Sequence, residues 1–434
     1  MKQYGTALLL GYGRSGKAAE RLLHAEGTET VVIARETAGD DELAQCLSER
    51  SIDVCIVSPG FGLDHPWVNA VRQAGIPLLP ELELGWSRHR GRTVAVTGSN
   101  GKSTAVKWIC ESLQAAGFRA EIGGNYGIPA CETVMDHPEL DWLVLEVSSF
   151  QLETIDRFRA DIAAVLNIFP NHLDRHGSME TYWHTKARIF GSSSAGDACL
   201  VPVEWLERLR ARVGENRKWI SFGASPAAGF RFADGMVYHG AEPALNLRGT
   251  GFESPIIGRC TGAAVAAVAH AAAIPRAAVE AAALSFIPLP HRMQRLGRID
   301  GVEYVNDSKA TNLSATAAAV QACGDGVHLI AGGLSKESDY TFVKEILAEP
   351  VRRIYLIGQA SRAMYQAWGG VCPCAECGTL EEAFSAAKKA AKEGETILLS
   401  PGCASFDQFR SFEERGACFS ALFQGAMHAG GDAG

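Results

Sequence analysis

Val94-Ala-Val-Thr-Gly98-Ser-Asn-Gly101-Lys102-Ser103-Thr104 is the stretch on which the reading of this chain turns. An apolar strand, Thr93–Thr97, runs into a glycine-containing turn, and Lys-Ser-Thr then opens a helix over Lys102–Ala116. Backbone N–H groups of such a loop point into one concavity, and the helix N-terminus adds partial positive charge. Polyphosphate oxygens are therefore held with little side-chain help. Gly98, Ser99, Asn100, Gly101, Lys102, Ser103 and Thr104 are the expected nucleotide loop. Lys102 reaches the β- and γ-phosphates, and the Ser103 or Thr104 hydroxyl ligates Mg²⁺. The spacing is not the usual one, because Val96 stands where that pattern wants a glycine. The plain alternative is a strand–turn–helix with a Ser/Thr at the helix start. ATP or GTP is the expected ligand.

Upstream of this loop, strand-like runs at Ala7–Gly11, Thr30–Ala34, Val54–Ser58 and Ile76–Leu79 alternate with helical or turn-rich stretches, which implies a parallel sheet. Gly11-Tyr-Gly13-Arg-Ser-Gly16 follows the first strand, and Arg35-Glu36 follows the second. Glu36 would suit the ribose of a dinucleotide, whereas Arg35 suits a phosphate or nucleoside diphosphate at least as well. The basic run Ser87–Arg92 marks a first boundary, and Pro288-Leu-Pro290 breaks an Ala-rich helical stretch at a second. The expected organisation is α/β in three domains. Residues 1–91 form a Rossmann-like domain, 92–288 a central P-loop domain with a mostly parallel sheet, and 289–434 a C-terminal Rossmann-like domain. The Gly/Ala-rich tail after Gly425 reads as disordered.

Polar groups gather after the apolar strands. Glu146 ends the run Trp142–Leu145, where a carboxylate beyond a P-loop suits Mg²⁺. The segment Asn167–His176 is dense in polar side chains, and His172 and Asp174 are either metal ligands or loop hydrogen bonders. Tyr182 and Lys186 lie one turn apart on a helix, where the plain reading of Lys186 is an exposed lysine. His291-Arg292, Asn306–Asn312, Ala331–Lys336 and Ser400–Phe409 add loops at further strand ends, a composite ligand surface. Ser308 or Thr311 reads equally as a helix cap. Cys372-Pro-Cys374-Ala-Glu-Cys377 lacks a nearby second pair of ligands and reads as a loop of reduced thiols.

Composition narrows the class. The chain has 434 residues, 47% hydrophobic and 21% charged, with no apolar run long enough to span a bilayer. Its 41 Lys+Arg against 49 Asp+Glu leave a net charge of −8, which argues against a nucleic-acid partner. The 12 cysteines, several within apolar strand or helix patterns, are not a disulfide framework. With no signal-peptide pattern at Met1–Gly5, a cytoplasmic location and no membrane insertion are expected.

In order along the chain, these motifs resemble the Mur ligase family, ATP-dependent amino-acid ligases of peptidoglycan precursor synthesis. The resemblance runs through Ser58–Gly60, Thr97–Thr104, Gly123–Gly127, Glu146–Glu153, Asn167–Arg175, Lys186, His291-Arg292, Asn306–Asn312 and Ser400–Phe412. It implies addition of D-glutamate to UDP-N-acetylmuramoyl-L-alanine through an acyl phosphate, by an enzyme expected to be monomeric. It implies ATP binding by the Lys102 loop, Arg292 and Asp307, and one Mg²⁺ held by Ser103 and Glu146. A second Mg²⁺ falls to His172 and to Lys186, which carries a CO₂-derived carbamate in this family. It places the UDP substrate near Ser15, Arg35, Gly60, Asn125 and Ser148, and the incoming glutamate near Thr311, Lys336, Ser405 and Phe412. One departure stands out: the family's Gly-x-His-Asn…Asn segment, whose asparagines meet adenine, reads Gly258-Arg-Cys-Thr261-Gly-Ala-Ala264 here. An adenine held by other groups, weaker ATP binding and an altered nucleotide preference all stay open. Competing readings are ligation of L-glutamate, a folylpolyglutamate synthetase, a non-catalytic P-loop relative, and an NAD-dependent oxidoreductase.

Overall fold

The computed structural model describes residues 3–34, 39–335 and 339–431. They fall into two compact units, one built from residues up to Ile168 with Ser178–Phe286, the other from Phe169–Gly177 with residues from Ile287 onward. No helix among the described residues is long and apolar enough to cross a membrane.

The first unit holds two sheets. Strands β1 (Thr6–Leu10), β2 (Glu29–Ile33), β3 (Val54–Val57) and β4 (Leu78–Pro80) form a parallel sheet in the order β2-β1-β3-β4. The strand order reverses at β1, so a crevice opens at its C-terminal end, where the helix Arg14–Ala25 begins.

The larger sheet contains β5 (Arg92–Thr97), β6 (Ala120–Gly124), β7 (Trp142–Glu146), β8 (Ile162–Val165), β9 (Ala198–Pro202), β10 (Lys218–Gly223), β11 (Phe230–Ala233), β12 (Met236–His239) and β13 (Glu242–Asn246). Its order is β13-β12-β11-β10-β9-β8-β5-β7-β6, parallel from β6 to β11 and antiparallel through β12 and β13. Side chains alternate between two cores, as the period of two requires. Val94, Val96, Val144, Ile162 and Leu200 face one, and Ala95, Leu143, Leu145, Ala163 and Val201 the other. On the first face the helix Lys102–Ala115 is anchored by Trp108, whose indole donates to Val279 O at 3.0 Å. The order reverses again at β5, between β7 and β8, so the glycine-containing loop expected to hold nucleotide emerges at a switch point.

The second unit is built on β14 (Gln294–Ile299), β15 (Val302–Asn306), β16 (Val327–Gly332), β17 (Val351–Ile357), β18 (Cys374–Gly378) and β19 (Thr396–Leu399). The order is β14-β15-β19-β16-β17-β18, with only β14 antiparallel to its neighbour. Two expectations are corrected here. The Cys374–Gly378 segment is an edge strand on β17, not a loop. The chain beyond Gly425 continues a helix, Phe412–Gly431, because Phe419 and Phe423 bury against Tyr304 and Ile397 and hold it to the sheet.

Candidate active site

β5 is buried along nearly its whole length, so it delivers the chain to the sheet edge at a fixed point. Gly101 then takes the left-handed conformation (φ +80°) that turns the chain into the helix at Lys102. Asn167, just past β8, braces the loop: its Oδ1 accepts from Asn100 N at 2.9 Å and its Nδ2 donates to Asn100 O at 3.1 Å. Ser99 N also donates to Asn167 O, at 3.1 Å. The Lys102 ammonium lies across the loop, 2.9 Å from Gly98 O and 3.1 Å from Ser99 O. Thr104 sits half-buried in the first helical turn.

Glu146 ends β7 beside Val96 of β5 and is buried. Its two oxygens are divided between two elements. Oε2 accepts from Ser103 Oγ at 2.5 Å, and Oε1 accepts from Asn125 Nδ2 at 2.5 Å. Asn125 is brought there by Gly124 (φ +98°), where a Cβ would stand 2.4 Å from Glu146 O. The nearby Ser148 forms a reciprocal capping box with Gln151, so its hydroxyl serves the helix Ser149–Leu152.

Lys186, on the helix Met179–Ala187, overturns the reading of an exposed lysine: it is 1% exposed. Its Nζ donates to Gly98 O at 2.9 Å and lies 4.6 Å from the centre of the Tyr182 ring. The Tyr182 hydroxyl is 3.0 Å from Ser99 Oγ, so the helix touches the nucleotide loop through both side chains. Burial pulls the Lys186 amine well below its ordinary range, the Lys102 charge pulls it further, and Glu146 opposes them. Burial also pushes the Tyr182 phenol up to about 12. Lys102, Ser103, Glu146, Asn125 and Lys186 thus share one set of contacts around the ends of β5 and β7.

In the first sheet, Ser15 lies in the opening turn of the helix Arg14–Ala25, and Gly60 in an exposed turn after β3. Arg14 Nη2 donates to Gly127 O at 3.2 Å, tying that helix start to the loop that carries Asn125. Arg35 lies outside the described residues, as does Lys336.

In the second unit, His172 takes a left-handed conformation (φ 55°) at the start of the helical turn Leu173–His176. Asp307 follows β15 and is buried. Its Oδ2 accepts from Ser400 Oγ at 2.9 Å and its Oδ1 from Met293 N at 3.1 Å. Burial raises its carboxyl to about 7, against those two bonds and the nearby Arg292 charge. Arg292 is half-buried between His291 (φ +59°) and Met293 (φ +45°). Thr311 does not cap the next helix, and neither does Ser308. Asn312 Oδ1 accepts from Ala315 N at 2.8 Å, which frees Ser308 Oγ to donate to Phe412 O at 2.8 Å. Lys309 Nζ stands 3.6 Å from the centre of the Phe412 ring. Ser405 is buried, and its carbonyl accepts from Phe409 N at 2.8 Å.

One residue escaped the sequence reading. Arg415 is 1% exposed, and its guanidinium joins two of these loops, donating to Ser308 Oγ at 3.0 Å, Ser308 O at 2.8 Å and Cys403 O at 3.1 Å. Burial lowers it to about 10. The available signal was helical spacing, since Arg415 shares a face with the buried Phe419.

Comparison with known proteins fits this arrangement. The Mur ligase middle domain matches residues 96–272, and the Mur ligase glutamate ligase domain matches 291–403. The UDP-N-acetylmuramoylalanine--D-glutamate ligase of Acidobacterium capsulatum is 36% identical, covering 96% of this chain and 95% of that one. Its counterpart in Solibacter usitatus is also 36% identical, covering 98% and 99%. Among solved structures, the MurF ligase of Thermotoga maritima in complex with ADP superposes with a TM-score of 0.62 at 15% identity, over 98% of this chain and 96% of that one. With near full-length relatives at this identity, and both domain matches falling on the sheets that carry these loops, the chain belongs to the Mur ligase family.

Proposed function

We propose that this protein is the ATP-dependent ligase that adds D-glutamate to UDP-N-acetylmuramoyl-L-alanine in peptidoglycan precursor synthesis. The observation that carries the reading is the shared contact set of Lys102, Ser103, Glu146 and Lys186, in a chain whose relatives carry that activity along their whole length. The proposed division is 1–91 for the UDP substrate, 92–288 for ATP and 289–434 for glutamate. The enzyme acts as a cytoplasmic monomer on small molecules.

A carboxylate is a poor acylating agent, so the alanyl carboxylate oxygen attacks the γ-phosphorus of ATP and ADP leaves. The glutamate amine then attacks the acyl-phosphate carbonyl, a tetrahedral intermediate forms, and phosphate departs as the nitrogen loses its proton. Lys102 and the loop amides neutralise charge on the transferring phosphoryl group and hold it in line. Ser103 and Glu146 present hard oxygen donors side by side, which suits Mg²⁺; such an ion supplies charge neutralisation on the phosphate oxygens. His172 and a carbamate on Lys186 form the second metal position in this proposal. The buried, deprotonation-prone Lys186 amine supports it, because a neutral amine adds to CO₂ and becomes an anionic oxygen donor on losing its proton. Arg292 and Asp307 meet ATP. Ser15, Arg35, Gly60, Asn125 and Ser148 meet the UDP substrate. Thr311, Lys336, Ser405 and Phe412 surround glutamate.

The test is phosphate release from ATP with UDP-N-acetylmuramoyl-L-alanine and D-glutamate, L-glutamate or no amino acid. Release that requires both the UDP substrate and D-glutamate is expected. Preference for L-glutamate would overturn the stereochemistry, and no turnover would overturn the ligase reading.

A further inference from the structure

The helix Glu81–Trp86 follows β4, and its residues from Glu81 to Gly85 are all buried. Two of them are acids, and both bond to segments that connect strands of the larger sheet. Glu81 Oε1 accepts from Cys131 N at 2.6 Å, and Cys131 Sγ donates back to Glu81 O at 3.4 Å. Glu83 Oε2 accepts from Asp156 N at 2.7 Å and its Oε1 from Arg157 N at 2.6 Å. The approach is close, since a Cβ on Gly85 would stand 2.5 Å from Cys131 N. Burial raises both carboxyls against these bonds, Glu81 to about 7, and among the described residues Glu81 Oε2 has no hydrogen-bond partner. An apolar side chain of similar size would pack there without that penalty. Packing alone therefore does not account for two acids on this helix.

The segments they hold lead back to the candidate site. Cys131 lies in the first turn of the helix Ala130–Asp136, directly after the loop that carries Asn125. Gly124 N donates to Ile128 O at 2.9 Å, so that loop closes on itself and follows the helix start. Asp156 and Arg157 end the short stretch that begins with Ser148 and its capping box. Among the described residues neither carboxylate bonds to Gly98–Thr104. We infer that Glu81 and Glu83 are positioning residues for the UDP substrate, one holding the Asn125 loop and the other the Ser148 segment against the sheet that carries Ser15. The inference rests on the ligase reading above, which puts Asn125, Ser148 and Ser15 on that substrate. A molecule gripped from two sheets binds well only when the two sets of contacts stand at a fixed separation. A carboxylate accepting backbone N–H groups fixes both distance and angle, which apolar contact does not.

The test varies UDP-N-acetylmuramoyl-L-alanine at saturating ATP, Mg²⁺ and D-glutamate, with the full-length protein and phosphate release as the signal. Calorimetric titration with ADP and Mg²⁺ runs beside it. Glu81→Met and Glu83→Met keep the bulk and remove the acceptors; each is expected to raise the KM for the UDP substrate by about tenfold, with kcat and ADP affinity within about threefold of wild type. Glu81→Gln keeps the oxygen that Cys131 N needs and is expected to hold KM within about twofold. Glu83→Gln turns one of two acceptors into a donor, raises KM by about threefold, and carries the test should a methionine variant not fold. An unchanged KM in the folded variants would overturn the inference. So would KM, kcat and ADP affinity all worsening together, which would show a general loosening of the fold. Wild-type protein without turnover would overturn the ligase reading and this inference with it, whereas turnover with unmoved variants overturns the inference alone.

Discussion

Ser103 Oγ and Glu146 Oε2 stand 2.5 Å apart, so the first turn of the helix after the nucleotide loop is bonded to the end of the neighbouring strand. Glu146 holds Asn125 with its other oxygen, which makes one carboxylate the junction of three chain segments. Glu146→Gln keeps the shape and removes the charge. We expect kcat to fall by about 100-fold or more, with the fold intact by circular dichroism. Ser103→Ala should instead raise the Mg²⁺ concentration for half-maximal phosphate release by about tenfold. An unchanged Mg²⁺ dependence would remove Ser103 from the proposed metal site.

Lys186 is buried with its amine held well below the ordinary 10.5. The folded state therefore binds fewer protons here than the unfolded chain does. The contribution of this group to stability rises with pH from its depressed value up to the ordinary one. Lys186→Met should flatten that rise in denaturant midpoints taken at successive pH values below the ordinary 10.5. The same variant should lower kcat by about 100-fold while leaving ADP affinity within about threefold. A carbamate signal in ¹³C spectra of wild-type protein with labelled bicarbonate, absent in the variant, would separate modification from simple burial.

Asp307 has the opposite linkage to an ordinary surface acid. Its carboxyl is raised from 3.8 to about 7, so the folded state holds a proton that the unfolded chain releases. Stability from this group falls as pH rises through that window. Asp307→Asn should remove the slope, and thermal midpoints of wild type and variant should diverge in the variant's favour as pH climbs from about 5 to about 8. Parallel curves would show that Asp307 is ionised at both ends.

Gly124 separates backbone freedom from space. A Cβ there would stand 2.4 Å from Glu146 O, whereas one at Gly127 would meet nothing nearer than 3.6 Å. Both residues have positive φ, so both alanine variants carry backbone strain, of order 1 kcal/mol. Gly124→Ala should cost at least about 2 kcal/mol more than Gly127→Ala by chemical denaturation and should lose more activity, because the clash displaces Glu146. Equal losses would mean that the strand end relaxes freely.

Arg415 shows where local pattern misleads. Three residues after Phe412, among Glu413 and Glu414, it reads as the solvated face of a helix. Only the packing of Phe419 and Phe423 on the third sheet turns that face inward, and Ser308 and Cys403 lie far from it in sequence. The same tertiary contact extends the helix through a stretch whose glycines and alanines suggest disorder. The Cys374–Gly378 strand was hidden for a related reason. It is a half-exposed edge strand, and its order comes from pairing with β17 rather than from its own alternation.

The sequence by itself determined the alternation of strands and helices, the glycine-containing turn between β5 and the helix at Lys102, and the placement of polar residues after apolar strands. These rest on local rules, since a buried parallel strand needs a continuous apolar run and a phosphate loop needs its glycines next to a helix start. Tertiary structure alone decided which polar residues meet. Glu146 and Ser103 are 43 positions apart and touch because β5 and β7 are neighbours, while β6, the strand between them in sequence, lies outside β7. Lys186 lost its solvent because its helix packs on the loop beneath it. Strand order and helix rotation depend on contacts spread over the whole chain. No local window of residues encodes them.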